Sequence, residues 1–232
     1  MKVILKEEQV QSIILTEQVY KFLNESIIDD FNLLSKNVKK LIMSGVATGV
    51  ILAAISSLNI SKEQKDELRN IVNLERQDNS RISHKIKACS DYMEKALSNQ
   101  GFKISDTKLT PQALVKASED YSFDLPLLMA AAHLESCFGA TNRAKKTNSV
   151  FSVGSYDNGK NVVTYSHPNE SINGYIKLLL NDYLINGKTI NDLLKPGGFV
   201  NKNGDRYASK KNYEKLLKSV RNRIIQNYPE LI

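Results

Sequence analysis

Residues 125–154 read LPLLMAAAHLESCFGATNRAKKTNSVFSVG, and the reading of this stretch decides the fold. Pro126 suits a first helical turn, and Leu127, Leu128, Ala130, Ala131 and Leu134 predict a helix apolar on most of its circumference. Such a helix belongs in a core, yet it closes on Glu135, directly before Ser136, Cys137, Phe138 and Gly139. Partly apolar surroundings disfavour the ionised form of a glutamate, so its pKa is expected to rise. A carboxyl that keeps its proton near neutrality can donate it to a leaving oxygen. The competing reading is a solvated helix-end acid, with Arg143, Lys145 and Lys146 close in sequence.

Outward from this stretch the chain reads as mainly helical. Thr110-Pro111 starts a helix running to about Tyr121, with Thr as N-cap and Pro in the first turn. Asn142–Lys146 reads as a short helix, and Asn148 as its left-handed C-cap or as an amide orienting loop or sugar. Phe151–Val153, a turn at Tyr156-Asp157-Asn158-Gly159, and Asn161–Tyr165 predict a small β-hairpin. Pro168 opens a helix carrying Tyr175, Leu178, Leu179 and Tyr183, and Asn186-Gly187 ends it. The last helix carries Lys215, Lys218, Arg221 and Arg223, a basic face suited to solvent or to an anionic partner.

The string Glu135-Ser136, Gly139, Thr141, Ala144, Asn148, Phe151, with Tyr165, Ser171 and Tyr175 beyond it, resembles the glucosaminidase-type peptidoglycan hydrolases of the lysozyme superfamily (glycoside hydrolase family 73). The resemblance covers roughly residues 108–228. Phe199-Val200-Asn201, Tyr207-Ala208-Ser209 and Asn212-Tyr213-Glu214 resemble the closing segment of phage and bacterial members. It implies a mainly α, lysozyme-like domain over 101–232, in which a helical lobe delivers Glu135 to a groove and the β-hairpin forms one wall. It implies hydrolysis of a β-1,4 glycosidic bond of peptidoglycan with Glu135 as general acid. Asp157 is the hairpin's acid and so the candidate second carboxylate; Tyr165 matches the aromatic near the acid. Asn148, Phe151, Tyr207 and Tyr213 are the candidate substrate-binding residues, with core packing as the alternative for the aromatics. Bacterial peptidoglycan is the implied partner, and no cofactor or metal is expected. A lytic transglycosylase or muramidase using the same Glu, or an inactive wall- or membrane-binding virion component, are the rival readings.

Residues 1–100 form a separate N-terminal helical region in this reading. Val10, Ile13, Ile14, Val19, Phe22 and Leu23, then Ile27, Ile28, Phe31, Leu33 and Leu34, predict one or two amphipathic helices. Residues 41–60, LIMSGVATGVILAAISSLNI, hold no charge and are long enough for a bilayer span, with Gly45, Gly49, Ala53 and Ser57 as a small-residue stripe. Five Ser, Thr and Asn residues weaken that reading in favour of a core helix of a bundle. Ser61 caps a charged helix to about Leu74, residues 78–83 read as a break, His84–Leu97 as another helix, and 98–108 as a linker.

The chain has 232 residues, a formal charge of +7 concentrated after about residue 100, two cysteines and three histidines. The charge suits an anionic partner: cell wall, membrane surface or nucleic acid. No nucleic-acid motif is present, so no specific nucleic acid is expected. Two cysteines give no disulfide framework, and the scattered histidines give no metal spacing. Cys137 beside His133 allows a thiol nucleophile in principle, but a small buried hydrophobe is the better reading. The N-terminus carries no positively charged and then apolar leader pattern, so no cleavable signal peptide is expected; the context resembles a phage-encoded wall lysin acting from the host cytoplasm, periplasm or virion.

Overall fold

The computed structural model describes residues 7–27, 31–44, 46–154 and 163–232. They are mainly helical, and they divide into two compact units, Met1–Arg81 and Ile82–Ile232. Each has its own apolar core.

In the first unit, α1 (Glu7–Ile27), α2 (Phe31–Met43) and α3 (Thr48–Ser57) pack together, with α4 (Lys62–Asn99) beginning beyond them. Val19 and Leu23 of α1, Leu34 and Val38 of α2, and Leu68 and Val72 of α4 share this core with α3. The uncharged stretch 41–60 is not one helix. It ends α2 at Met43, breaks, and resumes as the ten residues of α3. Val50, Ile51, Ala54, Ile55 and Leu58 are buried, whereas Gly49, Ala53 and Ser57 lie on the exposed side. The small residues therefore face outward, and the apolar face is consumed by the unit's own core. Among the described residues no helix is long and apolar enough to cross a membrane.

The helix α4 also departs from expectation. Ser61 and Gln64 form a reciprocal cap: the Gln64 amide donates to the Ser61 hydroxyl, and Gln64 Oε1 accepts from the Ser61 amide. From there the helix continues without interruption through the break read at 78–83. Residues 76–81 are all exposed. Asp, Asn and Ser there cost only a few tenths of a kcal/mol each, and no Gly or Pro is present to end the helix. The second half of α4 belongs to the second unit: Ala88, Cys89, Tyr92, Met93, Ala96 and Leu97 repeat at helical spacing and are buried in its core. The compact units therefore divide within α4, between Arg81 and Ile82, whereas the sequence reading divided the chain near residue 100. Residues 98–108 include a short 3-10 turn, Ile104–Asp106, and Phe102 packs on the core.

In the second unit, α5 (Pro111–Asp120) is capped by the Thr110 hydroxyl, which accepts from the Ala113 amide. α6 (Leu125–Ser136) is the central element: Leu125 to Ala132 are all buried, and both α5 and α10 (Tyr213–Asn227) pack against it. Asp124 caps α6 through the Leu127 amide and is also held by the Arg221 guanidinium of α10. Arg221 is thus a structural tie between two helices, not part of a solvated basic face. Between these helices come α7 (Asn142–Thr147), α8 (Pro168–Leu178) extended by a wider π turn at Leu179–Tyr183, and α9 (Ile190–Leu193). The expected hairpin falls mostly on 155–162, outside the described residues. Its described flanks, 151–154 and 163–165, carry no strand.

Candidate active site

The site is built on the end of α6. Cys137, Phe138 and Gly139 all have positive φ, of 47°, 57° and 87°, so the chain turns back sharply after Ser136. The Cys137 amide bonds to the His133 carbonyl and the Phe138 amide to the Ala132 carbonyl, which closes the last helical turn. At Gly139 a side chain is disfavoured. The backbone is left-handed, and a Cβ would sit 3.3 Å from Val150 and 3.5 Å from the Thr107 hydroxyl. Ser136 fixes the returning loop: its hydroxyl donates to the Val150 carbonyl at 2.7 Å and accepts from the Gly139 amide at 2.8 Å. The Ser that follows the glutamate is therefore a brace, and Glu135 is the side chain left to face the site.

Glu135 is half-buried, and burial raises its pKa above the ordinary 4.5. The hydroxyls of Tyr213 and Ser152 face the carboxyl and offset part of that rise by favouring its ionised form. Tyr213 Oη has no protein hydrogen bond of good geometry, so this contact is polar but loose. Tyr175, Tyr207 and Tyr213 surround the acid. Burial pushes all three phenols well above their usual range, and the charge of Glu135 adds to the effect. A proton is thus held on the phenols throughout, and the carboxyl is the group in the cluster that gives one up most readily.

The aromatic cluster is continuous. Phe151 stacks on Tyr175 with centroids 4.5 Å apart and planes within 7°. Tyr207 lies edge-on to Tyr175 and Phe199, and its hydroxyl donates to the Phe151 carbonyl. Phe151 is fully buried and Tyr213 is 5% exposed. Both rings are therefore core pieces beneath the acid, not surfaces on which a sugar can stack, and this corrects their expected substrate-binding role. Tyr207 is half-buried and spends its hydroxyl on the backbone. Glu214, next to Tyr213, is buried and pairs with Arg206 at 2.9 and 3.0 Å, anchoring the segment that carries Tyr207.

Asn148 does cap α7, with φ of 52° and ψ of 20°. Its amide nitrogen donates to the Tyr165 and Ser166 carbonyls at 2.9 and 3.2 Å, and the Tyr165 amide donates to the Thr147 carbonyl at 2.9 Å. Asn148 therefore positions the chain around Tyr165. Tyr165 is half-buried, and its hydroxyl rests over Gly174 of α8: a Cβ there would meet the oxygen at 2.3 Å, a collision. Gly174→Ala is expected to swing the Tyr165 ring while changing stability by only about 1 kcal/mol, since Ala favours the helix by a similar amount. Thermal melting and wall-hydrolysis rate of the variant check this: a lowered rate with a melt moved by only a few degrees is the expected pair. Asp157 lies outside the described residues.

Glu135 also lines a polar cavity of about 30 Å³, shared with Ser136, Thr141, Arg143, Ala144, Thr147, Ser149 and Ser152. Ser149 and Ser152 were not singled out from sequence. Serines in a small-residue loop are common, and only the left-handed φ of 55° at Ser152 turns its hydroxyl to the acid's side. Tyr175 stood in the resemblance string without a role. On the other face of α6, His133 Nδ1 meets Tyr92 Oη at 2.7 Å, and burial lowers the imidazole pKa. Cys137 is buried with its thiol pushed up, which removes the thiol–imidazole nucleophile reading. Among the described residues no group of three or more His, Cys, Asp or Glu is placed to hold a metal.

An acid whose pKa burial raises thus stands at the end of a buried helix, beside a polar cleft and backed by tyrosines. Residues 111–226 match the glucosaminidase family, described as mannosyl-glycoprotein endo-β-N-acetylglucosaminidase, and the chain belongs to that family. No curated protein and no solved structure matches the chain. Membership makes it a glycoside hydrolase of endo-β-N-acetylglucosaminidase type, with peptidoglycan as the implied substrate.

Proposed function

We propose that the protein cleaves the β-1,4 bond on the reducing side of N-acetylglucosamine in bacterial peptidoglycan, with Glu135 as the proton donor. The observation that carries this is the position of Glu135: it ends the most buried helix of the family-matched region, with its ionised form disfavoured by burial. Its O–H proton passes to the glycosidic oxygen as the C1–O bond breaks and positive charge develops on the sugar ring. Water, or the substrate's own acetamido oxygen followed by water, forms the new bond to C1. Asp157 is the candidate base for that water, and Tyr165 the candidate side chain bordering the reacting sugar. The substrate is anionic and the protein carries +7, which favours association with the wall. The host wall during phage lysis or genome entry is our proposed place of action.

The test is digestion of purified peptidoglycan, borohydride reduction, and mass spectrometry of the soluble fragments. N-acetylglucosaminitol ends are expected. Muramitol ends would reassign the enzyme as a muramidase, anhydromuramic ends as a lytic transglycosylase, and no release from several wall types would leave a binding module. The same assay has an expected pH dependence. Glu135 must be protonated to act, and its pKa lies above 4.5, so the rate falls as pH rises through that higher value. Stability follows the same sign. The folded state holds this proton more tightly than the unfolded chain, so Glu135 contributes stability below its unfolded pKa that is lost as pH rises through the folded one.

A further inference from the structure

The cavity beside Glu135 contains an unexplained group. Ser149 is 4% exposed, and its hydroxyl is buried with no hydrogen-bond partner in the protein. Its neighbours Thr147 and Ser136 are engaged. Thr147 Oγ1 donates to the Arg143 carbonyl and accepts from the Ser149 amide, and Ser136 Oγ bridges Val150 and Gly139. A buried hydroxyl in a native core has a partner in nearly every case, protein or water. The space it lines is about 30 Å³, which is room for a water molecule. Its walls are polar, and a carboxyl, Glu135, is one of them.

We propose that Ser149 fixes a single ordered water in this cavity, which donates to the Glu135 carboxyl and so sets both the orientation and the proton affinity of the acid. Ser149 is then a positioning residue: it touches the acid through the water and does not touch substrate. The inference rests on the reading of Glu135 as the general acid for its catalytic consequence, though not for the water itself. The hydroxyl accepts from or donates to the water with the freedom of an unengaged rotor, and the remaining water proton is directed to a carboxyl oxygen. A donated hydrogen bond favours the ionised carboxyl, so its loss moves the pKa upward. The other groups facing Glu135 are the phenols of Tyr175 and Tyr207, the hydroxyls of Tyr213 and Ser152, and the Arg143 guanidinium of α7 on the cavity wall. The phenols carry no charge near neutrality, so none of them titrates where the carboxyl does.

The test uses the full chain with 13C-labelled glutamate side chains, with the Glu135 signal assigned by its absence from Glu135→Gln. Ser149→Ala removes the anchoring hydroxyl, and Ser149→Val also fills the space with a methyl group. The expected result is an upward shift of the Glu135 titration midpoint by at least half a unit in Ser149→Ala and by more in Ser149→Val. On peptidoglycan, kcat is expected to fall about tenfold at unchanged KM, with the alkaline limb of the rate moving by the same amount as the NMR midpoint. An unchanged midpoint in the variants overturns the inference, because a dry, purely structural hydroxyl would leave Glu135 alone and its removal would raise the melting temperature. Ser149→Ala carries the test by itself if Ser149→Val does not fold. A wild type that releases nothing from the wall refutes the proposed function, while the titration still decides the water.

Discussion

Glu135→Gln is expected to lower the release of wall fragments by about a thousandfold or more while the protein stays folded. An amide has the shape of the carboxyl but no proton to give at any working pH, and a positioned acid contributes about 10² to 10⁴ to such a reaction. The hydroxyls of Tyr213 and Ser152 that face the carboxyl can face an amide oxygen equally well, so the surroundings need not rearrange. The same change deletes a titration. Burial raises the Glu135 pKa, so wild-type stability declines as pH rises above 4.5 through the folded value, and the variant lacks that part of the slope. Thermal melts by circular dichroism over this range, beside the fragment assay, read both effects. A variant as active as wild type would mean that the proton comes from elsewhere and that the site has been misassigned.

Phe151→Ala is expected to destabilise the second unit by about 4 kcal/mol, the usual cost of emptying a buried aromatic site. The ring is fully buried and stacked on Tyr175, and the residue's carbonyl holds the Tyr207 hydroxyl. The loss therefore runs through the two phenols that back the acid. In a unit of this size it corresponds to a fall of roughly 10 °C in melting temperature. Phe151→Leu keeps most of the volume and is expected to cost less than about 1.5 kcal/mol, with activity retained wherever the protein is folded. A sugar platform would behave in the opposite way, with KM raised and the melt unchanged.

What the sequence made legible was local or strongly patterned. The Thr110 and Asp124 caps, the apolar run of α6 and the left-handed Asn148 each express themselves within a few residues, and Glu135 stood out because a charge ended an apolar helix. The misreadings came where tertiary packing decides. Residues 78–83 have loop-like composition, but an exposed helix tolerates polar side chains between two anchored ends. The apolar spacing of Ala88, Cys89, Tyr92, Met93, Ala96 and Leu97 was visible, yet nothing in it says which core it serves. Residues 41–60 offered an uncharged length without revealing that the helix stops at Met43 and buries one face only. Within the site, Ser149 and Ser152 acquire meaning only from the cavity and the backbone turn that aim them at the acid.

The two cysteines have a practical consequence. Both are free and buried in the same core; the Cys89 thiol is pushed up to about 12 and the Cys137 thiol upward as well, so neither is a thiolate at neutral pH. The folded molecule is therefore silent toward alkylating reagents without any engineering. A cysteine placed on an exposed helix face becomes its single addressable handle for a fluorophore or spin label, and wild type serves as the unlabelled blank.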